Sequence, residues 1–203
     1  MEISLISAEF GQCIKCGLCL ADCPVSHELF LEKYTPRGKI QLARAYSQGE
    51  AAISDHYRDI FARCLLCGAC SVTCPSGVDL TKVFTHMRRE ITEIKGISPS
   101  MKPAVDSLMM HHNISREDNE ERGDWREEIK NLPDHQYEKP KAKGVYFVGF
   151  VASFFPMAQA IPQNMVRILS AAHVDFTVLA GDEWCCGFPL IGAGAVESMD
   201  KFV

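Results

Sequence analysis

The sequence predicts an α+β protein, with a mostly helical N-terminal half followed by a small βαβ segment. Three observations lead to this. Between residues 36 and 96 apolar side chains recur at helical spacing. After Gly144 two runs rich in β-branched and aromatic residues flank a third helical stretch. The N-terminal half also contains a repeat: Cys13-x2-Cys16-x2-Cys19-x3-Cys23-Pro24 returns as Cys64-x2-Cys67-x2-Cys70-x3-Cys74-Pro75, with Gly17 and Gly68 each following the second cysteine.

Taken in order, Pro36-Arg37-Gly38 opens a helix through Ile40, Ala43 and Tyr46 that stops near Gly49. Asp55 to Arg63 sets Tyr57, Ile60 and Phe61 on one helical face. Asp79 caps a helix whose apolar stripe is Leu80, Val83, Phe84, Met87, Ile91 and Ile94, and Gly96 ends it. That stripe reads as core. Ser98-Pro99 and Lys102-Pro103 then break the pattern, and the run Glu117-Asp118-Asn119-Glu120-Glu121 precedes Trp125-Arg126-Glu127-Glu128. Such charge density predicts a solvated linker with short helical turns. His111 and His112 lie in it without other ligands at metal spacing and read as surface. From Gly144 the pattern becomes α/β. A strand is expected at Val145–Phe150, a helix from about Ile161 to Ala172 with Ile161, Met165, Ile168 and Leu169 at helical spacing, and a strand at Asp175–Leu179. Cys185-Cys186-Gly187 follows. The expected organisation is therefore a helical domain at 1–97, a polar linker at 98–143 and a small α/β segment at 144–203.

With 203 residues, 47% of them hydrophobic, a real core can form. The formal net charge of −5 leaves nothing to neutralise a phosphate backbone, so protein partners are expected rather than nucleic acid. Met1-Glu2-Ile3-Ser4 shows no basic start before an apolar run, so no secretory signal is expected. Gly144 to Val166 carries no charge, but Pro156, Pro162, Gln159, Gln163 and Asn164 interrupt it, which argues against a membrane span. A cytoplasmic protein follows, at most peripheral to a membrane complex. Ten cysteines in a reducing compartment point to metal or catalysis before disulfides.

The repeat has a specific chemistry. A [4Fe–4S] cube needs four thiolates on its iron corners. The x2 spacings let three cysteines of one loop wrap three corners, and the fourth, three residues on, reaches the other cube in two-cluster proteins. One cluster is then expected on Cys13, Cys16, Cys19 and Cys74, and the other on Cys64, Cys67, Cys70 and Cys23. Pro24 and Pro75 fix the exit direction, and Gly17 and Gly68 let backbone pass close to the cluster. Zinc would want paired Cys-x2-Cys knuckles, not three cysteines in seven residues and a fourth before proline. Moving electrons between neighbouring clusters needs no acid, base or nucleophile, and no catalytic residue is assigned, Lys15, Asp22 and His27 included.

The two motifs, the helical spacer and Thr35-Pro36-Arg37-Gly38-Lys39-Ile40 resemble the α-helical ferredoxin module of the C-type heterodisulfide reductase polypeptide. They are also similar to the N-terminal part of the iron–sulfur subunits of glycolate, lactate and anaerobic glycerol-3-phosphate dehydrogenases. The C-terminal part, with Tyr146-Phe147-Val148-Gly149 and Glu183-Trp184-Cys185-Cys186-Gly187-Phe188-Pro189, resembles the start of the cysteine-rich CCG domain of the B-type and D-type heterodisulfide reductase polypeptides. That family implies a non-cubane [4Fe–4S] site built on five cysteines. Here Phe150 stands where the lone cysteine belongs, and no Cys-x2-Cys follows Gly187 in this sequence. The resemblance thus implies an electron-transfer subunit in a heterodisulfide reductase-like complex, partnered by a CCG-domain catalytic subunit and a flavin subunit, with a reduced CCG segment kept for docking. Two other readings stand beside it: the iron–sulfur subunit of a flavin-dependent dehydrogenase, and a disulfide reductase in which a partner completes a site at Cys185 and Cys186.

Overall fold

A computed structural model describes residues 4–127, 129 and 137–202. The chain forms two compact units, one of residues 1–102 with 189–201 and one of residues 103–188.

The first unit is helical. α1 (Ser4–Gln12), α3 (Pro36–Ser47), α4 (Asp55–Ala62) and α6 (Leu80–Lys95) form its framework, with two shorter helices, α2 (Pro24–Leu29) and α5 (Ala69–Val72), each next to a cysteine motif. Local chemistry sets these boundaries. Thr35 Oγ1 accepts from Gly38 N at 3.0 Å and Ser54 Oγ from Tyr57 N at 3.1 Å, capping α3 and α4. Asp79 accepts from Lys82 N at 3.0 Å, and Gly96 at φ 76° ends α6. α6 buries Leu80, Val83, Phe84, Met87 and Ile91 against Ile6, Phe10, Ile40, Ala43 and Phe61. Tyr57 stacks on Phe61 at 5.0 Å, and Phe61 meets Phe84 edge-on at 6.1 Å. The last residue of the expected stripe, Ile94, is 54% exposed, one residue before the end of α6. Two helices after residue 187, α10 (Phe188–Ala193) and α11 (Val196–Phe202), complete the chain. Arg88 Nη1 donates to Gly192 O at 2.7 Å and Thr92 Oγ1 to Ala193 O at 2.8 Å.

The second unit contains α7 (Lys102–His111), a 3-10 segment at Asn119–Arg126, β1 (Gly144–Val145), α8 (Phe150–Phe154), α9 (Ala160–Ala171) and β2 (Phe176–Thr177). The two strands pair in parallel, Gly144 opposite Phe176 and Val145 opposite Thr177, so the crossover through α8 and α9 makes the expected βαβ unit. Within the segment expected as polar linker, Val105, Leu108 and Trp125 are nevertheless buried. Trp125 packs with Tyr137, Val166, Phe176 and Val178. Within that expected linker, Glu128 and residues 130 to 136 lie outside the described ones.

Two expectations are corrected. Both strands are shorter than expected: β1 covers two residues rather than Val145–Phe150, and β2 two rather than Asp175–Leu179. Gly149 sits at φ 82°, and the N–H groups of Val148 and Gly149 both donate to the Glu183 carboxylate at 2.8 Å, so the chain leaves the strand and enters α8 at Phe150. α9 forms as expected, but Ile161, Met165 and Ile168 are exposed and Pro162, Gln163 and Val166 are buried. Both sets have helical spacing, and tertiary packing chose the second. Among the described residues no helix is long and apolar enough to cross a membrane.

Gly38 carries a sharp packing constraint. A Cβ there would collide with the Glu32 carbonyl oxygen and come within 2.8 Å of its carbon. We expect Gly38→Ala to lower the apparent thermal midpoint, a cost of about 1–3 kcal/mol that exceeds alanine's helix advantage of about 1 kcal/mol. Gly11→Ala in α1, with nothing within 4 Å, keeps or raises the midpoint. Equal midpoints for Gly38→Ala and wild type would disprove the constraint.

Candidate metal centre

The eight cysteines of the repeats line two cavities. One, of about 350 Å³, is lined by Cys13, Cys16, Cys19 and Cys74, with Arg37, Ile40, Val78 and Leu80 behind them. The other, of about 380 Å³, is lined by Cys23, Cys64, Cys67 and Cys70, with Lys39, Thr81 and Phe84. The fourth cysteine of each repeat thus stands in the cavity of the other repeat. Cys185 and Cys186 lie in the second compact unit and line neither.

Equivalent positions of the two loops have equivalent conformations. Lys15 and Leu66 take positive φ, 61° and 52°, which costs energy for residues with a side chain. Gly17 and Gly68 follow at 85° and 78°, where glycine is at ease. At Gly17 even a methyl group would lie 2.6 Å from Arg37 Nη1. The residues just before the two fourth cysteines join the motifs: Thr73 Oγ1 donates to Asp22 Oδ2. His27 Nε2 bonds Ala21 O at 2.7 Å and tethers the start of α2 to the first loop.

The thiols of each set surround a space. Among the described residues no three His, Cys, Asp or Glu side chains converge on a point that one metal ion could occupy. Four thiolates in one such set are electrostatically costly. Burial first, and then the charges of Cys64, Cys19, Cys23 and Cys67, push the Cys70 thiol up to about 12. Burial followed by Cys13 and Cys16 pushes Cys19 up to about 11. Four thiolates this close repel one another unless positive charge lies among them, and bound iron supplies it. Weak donors reach the sulfurs as well: Leu66 N to Cys64 Sγ at 3.5 Å and Gln41 Nε2 to Cys13 Sγ at 3.8 Å.

Three cations that spacing alone did not single out stand near the cavities. Arg37, at the first, is held by Glu32 through two bonds of 2.7 and 3.0 Å. Lys39, at the second, is fully buried and donates to Tyr34 O at 2.5 Å. Burial pulls its ammonium below the ordinary value, with the neighbouring Arg88 acting in the same direction, and the thiolates of Cys64, Cys23 and Cys70 oppose that. Arg88 donates to Cys64 O and to the carbonyls of Phe61 and Ala62. A hint existed for Lys39: it falls on the buried side of α3, one residue before Ile40.

In the second unit, Glu183 is the organising group. Buried, it accepts from Val148 N, Gly149 N and Arg122 Nη1, the last at 3.1 Å. Arg122, equally buried, lies 5.0 Å over the Phe154 ring. Cys185 N donates to His112 O at 2.9 Å, and His112 stacks on Trp184 at 3.5 Å. Cys185 is buried and its thiol is raised mainly by that burial, while Cys186 is exposed. Phe150 begins α8 and packs on Phe154 and Phe155, each 5.6 Å away, so an aromatic ring holds the position where the resemblance expected a thiol.

The comparisons with known proteins follow this division. Residues 9–78 match the family model of the 4Fe-4S dicluster domain. The chain is 28% identical to the D-type polypeptide of dihydromethanophenazine:CoB–CoM heterodisulfide reductase of Methanosarcina acetivorans, over 95% of this chain and 49% of that protein. It is 34% identical to the probable glycolate oxidase iron–sulfur subunit of Bacillus subtilis over 53% of this chain and 26% of that one. With the glycolate oxidase iron–sulfur subunit of Escherichia coli it shares 39% identity over 41% of this chain and 20% of that one. The chain spans about half the length of the heterodisulfide reductase relatives it matches. Residues 9–78, with their repeated cysteine motif, thus match the 4Fe–4S dicluster domain, in a chain similar along nearly all its length to the D-type polypeptide of heterodisulfide reductase.

Proposed function

We propose that this chain relays single electrons through two [4Fe–4S] clusters as part of a heterodisulfide reductase-like complex. One observation carries the reading: Cys23 and Cys74 each stand in the cavity of the opposite repeat. Two four-thiol sets that exchange a member must be neighbours, which is what stepwise electron transfer requires. Cys13, Cys16, Cys19 and Cys74 hold one cluster, and Cys64, Cys67, Cys70 and Cys23 the other. When bound, each cluster supplies a one-electron couple tuned by hydrogen bonds, charge and burial. The chain contributes the thiolates, the left-handed turns at Gly17 and Gly68 that admit backbone close to them, and an apolar lining that limits water.

The residues around 1–97 form the relay in this reading, and those from 144 onward dock on partners. A donor of flavin or ferredoxin type and a catalytic CCG-domain subunit are the partners proposed, in the cytoplasm. Likeness to the D-type heterodisulfide reductase polypeptide along 95% of this chain supports that assembly over a glycolate oxidase one, whose likeness is concentrated in about half of it. Cys185 and Cys186 are given no ligand role, because Phe150 occupies the lone-cysteine position and is packed in its own aromatic contacts.

Three outcomes are expected. Anaerobic analysis finds about eight iron and eight sulfide per chain, the content of two cubes; four iron, or stoichiometric zinc, contradicts the reading. In Cys23→Ala the EPR signal of the Cys64/Cys67/Cys70 cluster is lost first while the other remains near native. Selective loss of the Cys13/Cys16/Cys19 signal would show that the ligand sets are local. Replacing Cys185 and Cys186 together by serine leaves iron content and cluster EPR unchanged and slows electron flux by less than about tenfold; a larger drop, or the disappearance of a third paramagnetic signal in the intact complex, would restore a chemical role to this pair.

A further inference from the structure

The repeats are close copies, yet the charges at their cavities differ. At the second cavity the Lys39 ammonium is 1% exposed and its bond goes to the Tyr34 carbonyl. Arg88 beside it bonds the carbonyls of Phe61, Ala62, Cys64 and Gly192. Carbonyl oxygens satisfy N–H groups without cancelling charge, and among the described residues no carboxylate pairs with either cation. At the first cavity Arg37 is neutralised by the bidentate Glu32, and Lys15 stands in solvent, where water and salt screen it. The sulfur hydrogen bonds do not separate the two sites, since each has one long contact, from Gln41 and from Leu66.

We propose that Lys39, supported by Arg88, is a positioning residue for the electron. It raises the reduction potential of the centre on Cys23, Cys64, Cys67 and Cys70 above that of the centre on Cys13, Cys16, Cys19 and Cys74. A single electron delivered by a low-potential donor therefore rests on the Lys39 side. This rests on the two-cluster reading above. Reduction adds one negative charge to a site already surrounded by four thiolates, so a fixed cation nearby favours the reduced state. Burial works in both directions. It disfavours the more negative state, which by itself would make the second centre the harder to reduce. It also leaves the charges of Lys39 and Arg88 unscreened. The positive charge of Lys39 and Arg88, held in the same apolar setting without a carboxylate partner among the described residues, outweighs the burial penalty and inverts the order.

The test uses the full chain with its clusters, reduced stepwise by titanium(III) citrate under EPR. Iron and sulfide are measured first; absence of two clusters would defeat the two-cluster reading itself and is seen before any potential is measured. Cys16→Ser and Cys67→Ser assign each signal to its centre. In wild type, the centre at Lys39 is expected to be reduced first. Lys39→Met should lower the reduced-to-oxidised ratio of that centre at fixed potential by at least about tenfold, 59 mV for one electron, with the other centre unmoved, and Lys39→Arg should restore it. Glu32→Gln, on an exposed side chain, removes the counter-charge of Arg37 and should raise the first centre alone. Reduction of the first centre first in wild type overturns the proposal, as does a Lys39→Met variant with full iron whose two potentials move together or not at all. Should Lys39→Met lose iron, the wild-type order and the Glu32→Gln shift decide the matter.

Discussion

The exchange of one cysteine between two loops about fifty residues apart governs the first unit. Cys23 stands among the thiols of the second repeat and Cys74 among those of the first. That arrangement holds only if the chain between them returns to its starting point, and α3 and α4 make the return. Their inner faces, with Ile40, Ala43, Ile60 and Phe61, become the wall against which α6 packs. Pro24 starts α2 immediately after the exchanged Cys23, and its ring removes an N–H that would otherwise need a partner beside the sulfur. The Thr73–Asp22 bond ties the crossing point on the solvent side. A helix core can tolerate a shifted methyl group, but four thiols around one cavity cannot tolerate a shifted helix.

Symmetry in sequence does not survive as symmetry in electrostatics. Both loops present the same turn, the same glycine and three local cysteines. What differs comes from α3 and α6, which are not repeated. α3 sends Arg37 toward one cavity and Lys39 toward the other, because residues two apart on a helix point to different sides. The first meets a glutamate and the second a backbone carbonyl. Duplicated ligand loops thereby acquire distinct surroundings from a helix that need satisfy no repeat.

The second unit is organised by a buried ion pair. Removing Arg122 would leave Glu183 charged and buried, a situation that typically costs about 3–5 kcal/mol, so the pair is retained together or not at all. Glu183 also replaces a strand partner, since it accepts the two N–H groups that end the run from β1. Cys185 and Cys186 follow it on a turn fixed by Gly187 at φ 78° and by the Cys185 bond to His112. Phe150, at the start of α8, packs in an aromatic cluster with Phe154 and Phe155.

The residue string by itself determined the two cysteine motifs, the helix start at Pro36, the cap at Asp79 and the stop at Gly96, the faces of α4 and α6 and the strand–helix–strand order after Gly144. Each of these is a local property: a spacing, a capping side chain or a period within a dozen residues, read without knowing what lies opposite. The tertiary structure decided the rest. Ile161, Met165 and Ile168 and the pair Pro162 and Val166 are equally good stripes on α9, and only the position of Trp125 and Phe176 selects between them. Val145–Phe150 has the composition of a strand, yet a carboxylate more than thirty residues away takes its amides. Arg88 looks like an ordinary surface cation in sequence, and Lys39 carries only the hint of its place beside Ile40. Their separation from the described carboxylates emerges only when Tyr34, Phe61 and Cys64 close around them, because compensation of charge depends on distance in space and no local pattern encodes it.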